Sequence, residues 1–153
     1  MNPKSLKFAP REIFEKILEF SAIPTFDLIV NFQYRGIIIA RRKIAPYKNQ
    51  WALPGLRMMK PEGIEDALKR ISETEIGVVI DPKRCELVSQ YVAKFRTEFN
   101  RQDISTCYAI SCPSTEITIN ASHFYGYKFI NSVDELPSNT GAMYRYYVNL
   151  YCR

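Results

Sequence analysis

The segment from Trp51 to Val78, WALPGLRMMKPEGIEDALKRISETEIGV, limits the possible folds more than any other. Ile64, Ala67, Leu68 and Ile71 recur at three- and four-residue spacing, so Glu62 to Ile76 reads as a helix with one apolar stripe. Gly77 stands where such a helix needs a left-handed C-terminal cap. Upstream, Pro54-Gly55 breaks an otherwise extended Trp51–Met59 run. A strand, a tight break, a short basic loop and a carboxylate-rich helix thus follow in order. That arrangement can bring a backbone carbonyl near a helical carboxylate. Hard oxygen ligands of this kind suit Mg²⁺, which keeps several waters and binds substrate phosphates.

The flanking sequence supplies the other layers. Pro10 opens a helix over residues 10–21, with Ile13, Phe14, Ile17, Leu18 and Phe20 on or near one face. Phe26–Phe32 and Gly36–Arg42 read as a strand pair joined by a turn at Gln33–Arg35. Lys43–Gln50 is a polar loop. Leu87–Phe95, Ile104–Cys112 and Tyr125–Ile130 are β-rich, and Gly141–Cys152 is an aromatic helix with Tyr144, Tyr147 and Tyr151 at helical spacing. Elements in this order predict an α+β fold with a mixed sheet between helices. With 153 residues, 46% of them apolar and 24% charged, the chain is expected to form one domain over residues 1–153.

The charge balance, 21 Lys+Arg against 16 Asp+Glu, gives +5 and favours anionic partners. The cations are spread out, with Arg41-Arg42-Lys43 the densest group, which argues against a nucleic-acid surface. His123 is the one histidine, which excludes a multi-histidine metal site. Cys85, Cys107, Cys112 and Cys152 have no C-x-x-C spacing and read as buried free thiols, suited to a reducing cytoplasm. The charged N-terminus MNPKSLKFAPREIFEK does not read as a signal peptide, and the longest aliphatic stretch, around Ile37–Ala40, is too short to span a membrane.

The central segment resembles a Nudix box, G-x5-E-x7-R-E-U-x-E-E-x-G-U, where U is aliphatic. Glu62, Arg70, Glu75, Gly77 and Val78 match, and Trp51 with Leu53-Pro54-Gly55 matches the usual lead-in. The resemblance implies a Nudix-type α/β/α sandwich with a mixed β-sheet. Leu56 replaces the first box glycine, Ile71 replaces the first helical glutamate, Ser72 stands at the aliphatic position and Thr74 replaces a further glutamate. Glu75 alone survives from the carboxylate cluster. The usual chemistry of several metals and a box glutamate is therefore not expected. Ile71 reads as core packing, and Glu62 with Arg70 as structural support for the loop and helix.

The GDP-mannose mannosyl hydrolase branch of the family has a similarly thinned box. Phe26-Asp27-Leu28-Ile29-Val30 resembles its L-D-F-I-V strand, and Ala40-Arg41-Arg42, Pro46 and Trp51 follow its G-K-R…P…W spacing. Asp103–Tyr108 resembles D-F-T-T-H-Y, and His123 with Tyr127-Lys128-Phe129 resembles H-x-x-Y-R-W with one extra residue. Ser122 stands where that branch has a metal-ligating side chain. The resemblance implies attack of water on the sugar C1, releasing nucleoside diphosphate and free sugar. It implies His123 as general base and Arg42 and Arg57 as diphosphate clamps. Gly55 (carbonyl) and Glu75 would hold Mg²⁺, and Asp27 and Tyr108 would assist near sugar and leaving group. It also implies a homodimer, for which the N-terminal helix and aromatic tail are candidate surfaces. Two other readings stand beside it: conventional attack at phosphorus on another nucleoside diphosphate derivative, and nucleotide binding without turnover.

Overall fold

The computed structural model describes residues 6–153, so the first five residues of the charged N-terminal segment lie outside the described residues. Helix α1 (Arg11–Phe20) leads into strand β1 (Ile23–Phe32). Then come β2 (Gly36–Arg42), β3 (Trp51–Ala52), β4 (Gly55–Arg57) and helix α2 (Ile64–Ile71). Strands β5 (Glu86–Lys94), β6 (Gln102–Cys112) and β7 (Phe124–Ile130) precede the last helix, α3 (Ala142–Tyr151).

All seven strands join one mixed sheet with the order β3-β2-β1-β6-β5, in which β4 also pairs with β1 and β7 with β2. Strand β1 runs parallel to β6 from Ile23 opposite Asp103 to Phe32 opposite Cys112. Its antiparallel pairing with β2 is confined to the hairpin end, at Asn31–Ile37 and Phe32–Gly36. Further back, at Thr25, Phe26 and Asp27, the partner is β4. Strand β2 meanwhile turns to β7 and β3. The sheet is split where β1 and β2 diverge.

Alternation along the strands sorts side chains onto two faces. Leu28, Val30, Phe32, Ile38 and Ile110 pack with Leu68, Ile71 and Ile76 on the α2 side. Ile29, Ile37, Ile39, Cys107 and Ala109 pack with Tyr144, Tyr147 and Val148 on the α3 side. The result is the expected α/β/α sandwich. Residue Ile71 is fully buried, so the position that lost its glutamate is core. The thiols are free, but Cys152 is exposed and Cys85 and Cys112 are half-buried, so only Cys107 meets the expectation of a buried cysteine. Among the described residues no helix is long and apolar enough to cross a membrane.

The central helix differs from its expected span of Glu62–Ile76. Gly63 holds the N-cap position, and its N–H donates to the Asp66 carboxylate at 2.9 Å. After Ile71 the chain widens into a π-helical turn, Ser72–Ile76, closed by Gly77 at φ 70°. The wider turn keeps Ile71 and Ile76, five residues apart, both in the core. Glu62 stays outside the helix because other groups claim its carboxylate. Arg70 donates to both oxygens at 2.7 Å and the Met59 N–H donates at 2.8 Å. Arg70 also donates to the Arg57 carbonyl at 2.8 Å, so this pair fixes the loop between β4 and α2.

The Glu62 side chain is fully inaccessible to solvent, so removing it strands a guanidinium that is only 16% exposed. Glu62→Ala is expected to cost about 3 kcal/mol. In a chain of this size that lowers Tm by roughly 6–12 °C. Thermal unfolding followed by circular dichroism measures it, and an unchanged Tm would show that the pair does not hold the loop.

Candidate active site

A cavity of about 220 Å³ opens at the split in the sheet. It is lined by Thr25 and Asp27 from β1, Arg42 at the end of β2, Gly55 and Arg57 from β4, Arg101 just before β6 and Asp103 near its start. His123, which immediately precedes β7, lines it too, and Tyr144 of α3 closes one side. Of the residues singled out in the sequence, His123, Arg42, Arg57, Asp27 and Gly55 therefore share one pocket. Tyr108 does not. Parallel pairing sets Asp27 opposite Cys107, so Tyr108 has the opposite parity. It packs against Phe26 on the α2 side, with ring centroids 6.3 Å apart.

The loop carrying His123 is drawn in by Glu75. Asn120 N–H donates to the Glu75 carbonyl at 2.9 Å, and the N–H groups of His123 and Phe124 donate to the Asn120 carbonyl. Lys43 adds two tethers, through its N–H to the His123 carbonyl and its Nζ to the Ala121 carbonyl. His123 Nδ1 then lies 2.6 Å from Glu75 Oε1, with the Asn120 amide beside both. The Glu75 side chain is 1% exposed and that of His123 27%. Glu75 thus sits behind the histidine, which faces the cavity. Ser122 makes a local turn through its N–H and the Asn120 side chain.

The cations differ in how they are held. Arg42 is buried, with Nε donating to the Pro46 carbonyl at 2.5 Å and Nη2 to the Ala45 carbonyl at 3.3 Å. Two of its five N–H donors are thereby used. The Arg57 guanidinium is stacked on the Phe14 ring at 4.1 Å, with Phe8 at 6.0 Å. Burial, with Arg101 and Arg70 nearby, lowers its pKa. Arg101 binds Asp103 at 2.6 Å.

Asp27 is 3% exposed, and burial pushes its carboxyl up to about 7 against the pull of a Ser105 hydrogen bond and the Arg42 charge. Ser105 Oγ donates to Asp27 Oδ2, and Tyr147 Oη donates to Ser105 Oγ at 2.8 Å. Gly55 faces Asp27 across β4 and β1, and a Cβ at that position would collide with Asp27 Oδ1. Asp103 is also raised by burial, partly offset by Arg101. Sequence reasoning missed Thr25, Arg101, Ser105 and Phe14. The available signal was the alternation of Asp103, Ser105 and Cys107 in β6, which puts two polar side chains on a buried strand face.

Comparison with known proteins places the chain in a family. The chain belongs to the Nudix family: the NUDIX domain model matches residues 24–148. The fold is similar to that of a MutT NUDIX hydrolase from Burkholderia pseudomallei, with a TM-score of 0.75 and 19% identity over 85% of this chain and 98% of that one. It is also similar to the NUDIX domain of Shewanella oneidensis NrtR complexed with ADP ribose, with a TM-score of 0.70 and 15% identity over 99% of this chain and 91% of that one. A curated relative, the low-salt glycan biosynthesis protein Agl8 of Haloferax volcanii, is 29% identical over 69 residues. That alignment spans 45% of this chain and 44% of the relative, less than half of either.

Nudix hydrolases generally use divalent metals such as Mg²⁺ or Mn²⁺. The residues of this chain do not compose a carboxylate-built centre for such an ion. Ile71 is core, Thr74 has no carboxylate and the Glu75 carboxylate is engaged by His123. Among the described residues no group of three His, Cys, Asp or Glu side chains is placed to hold a metal.

The raised pKa of Asp27 has a thermodynamic signature. Between about 4 and 7 the folded state binds a proton that the unfolded chain has released, so the stability contribution is present below that range and lost as pH rises through it. Asp27→Asn keeps an acceptor for Ser105 but cannot ionise. Relative to this variant, the native protein is expected to lose up to about 4 kcal/mol from pH 4 to pH 7. Urea unfolding of both proteins across that range reads the difference, and parallel pH profiles would count against a neutral buried Asp27.

Proposed function

We propose that this Nudix chain hydrolyses a nucleoside diphosphate sugar, GDP-mannose-like, by attack of water on the sugar C1. The observation that carries this reading is the His123–Glu75 pair at 2.6 Å on the wall of an arginine-bearing pocket. An ionised carboxylate only accepts hydrogen bonds, so with Glu75 ionised Nδ1 carries the hydrogen and Nε2 is left as a base. Nε2 takes the proton from water as the oxygen–C1 bond forms and the bond from C1 to the phosphate oxygen breaks. The electron pair leaves on the diphosphate, where Arg42 and Arg57 stabilise the developing charge. Asp27 lies within the same cavity to assist at the leaving group or sugar. In this reading Glu75 orients the base, and no Mg²⁺ is held by the chain's own carboxylates. The glycan-biosynthesis role in the name of the Haloferax relative supports a sugar-bearing substrate.

A second reading, nucleotide binding without turnover, is favoured by Ile71 and Thr74, which remove the usual box carboxylates. Incubation of GDP-sugars, UDP-sugars and ADP-ribose in ¹⁸O-labelled water, with and without Mg²⁺, separates the readings. Label in the free sugar is the expected result. Label in a phosphate would move the attack to phosphorus, and binding with no product from any substrate would leave the second reading standing.

His123→Ala is expected to lower kcat by about 10²- to 10⁴-fold with little change in KM. Glu75→Gln should lower kcat by a smaller factor, because Nε2 remains but its tautomer and ring orientation are no longer fixed. Steady-state kinetics on the best substrate of the panel measures both. Full activity in His123→Ala would remove the histidine from the mechanism.

A further inference from the structure

The cavity wall carries a feature that the reaction above does not use. Thr25 is 9% exposed, lines the cavity, and its hydroxyl has no hydrogen-bond partner among the described residues. An unpaired buried hydroxyl costs about 1–3 kcal/mol. Asp103, 4% exposed, lines the cavity beside it. One of its oxygens accepts from Arg101, and the other accepts no hydrogen bond from any described residue. The parallel register explains their nearness: Ile23 pairs with Asp103 and Thr25 with Ser105, all on one sheet face.

The chemistry of this wall selects its occupant. The free Asp103 oxygen can only accept hydrogen bonds, so it disfavours a phosphate oxygen set against it. A divalent cation would be opposed by Arg42, Arg57 and Arg101, which line the same cavity. A neutral group rich in hydroxyl donors satisfies both constraints, since each hydroxyl can donate to a carboxylate oxygen, and rotation of the Thr25 side chain to another staggered position would bring its hydroxyl to one. At about 220 Å³ the cavity is below the usual range for a whole drug-sized ligand, so it suits one ring of a larger molecule.

We propose that Thr25 and Asp103 form a subsite for the hydroxylated ring of the substrate, and so select the sugar-bearing nucleotide over the bare nucleoside diphosphate. This rests on the nucleotide-sugar reading above and names the residues that would make the choice. Arg42 and Arg57 then face the diphosphate while Thr25 and Asp103 read the sugar.

Isothermal titration calorimetry in a His123→Ala background, which suppresses turnover, provides the test. GDP-mannose, UDP-glucose and ADP-ribose are each compared with the matching GDP, UDP or ADP. The expected result is at least one sugar-bearing ligand binding about tenfold or more tightly than its diphosphate. Thr25→Val should shrink that ratio about three- to tenfold and Asp103→Asn about tenfold or more, both leaving diphosphate affinity within about twofold. Thr25→Val should not lower Tm, because it removes a hydroxyl with no partner among the described residues. A lower Tm would assign the hydroxyl a structural role and overturn the proposal. Ratios unchanged by either variant, or sugar-bearing and bare ligands weakened alike, would also overturn it while leaving the hydrolase reading intact. No binding by any ligand of the panel would overturn both.

Discussion

The site depends on β1 changing partner part-way along its length. Near the hairpin β1 bonds to β2, and toward its start it bonds to β4, while β6 follows it in parallel throughout. A strand has only two edges, so β2 must leave before β4 can enter. The gap between them receives Arg42 from the departing strand and Arg57 from the arriving one, with Asp27 between them. The close approach of β4 is also why position 55 is a glycine, since any larger residue would displace the Asp27 carboxylate.

Much of this was legible in the sequence because it is local. The apolar stripe of α2, the cap at Gly77 and the bounds of β2 follow from short-range periodicity and turn chemistry, and the structure has them. Tyr144 and Tyr147 likewise fall in the core at the predicted spacing. The π-helical turn was not legible, because Ile71 and Ile76 reach the core together only through a geometry that helical templates omit. The nearness of Thr25 and Asp103 on the pocket wall was hidden for a different reason. Thr25 and Asp103 come together through the register of two strands nearly eighty residues apart in sequence, and no local pattern sets that register. The same register turned Tyr108 to the opposite face from Asp27.

The exchange at the box is compensatory in position. Where the family pattern has a row of helical carboxylates, this chain keeps one, buries it, and spends its negative charge on an imidazole from a distant loop. The π-helical turn that follows α2 still supports the site, through Glu75 behind His123 rather than through residue 71. Family membership and an unusual site are therefore compatible, because the fold needs an apolar stripe and a cap on this helix, and Ala67, Leu68, Ile71 and Gly77 supply them.

Arg70 has a wider consequence. One guanidinium closes on Glu62, across the start of α2, and on the backbone of Arg57 in the cavity wall. The helix and the wall are therefore one cooperative unit. They open together in local unfolding, and a state with an ordered helix and a disordered wall forfeits the bonds that order both. Ligand held by that wall would in turn protect the backbone amides of α2 from exchange, although the helix presents none of its own side chains to the cavity.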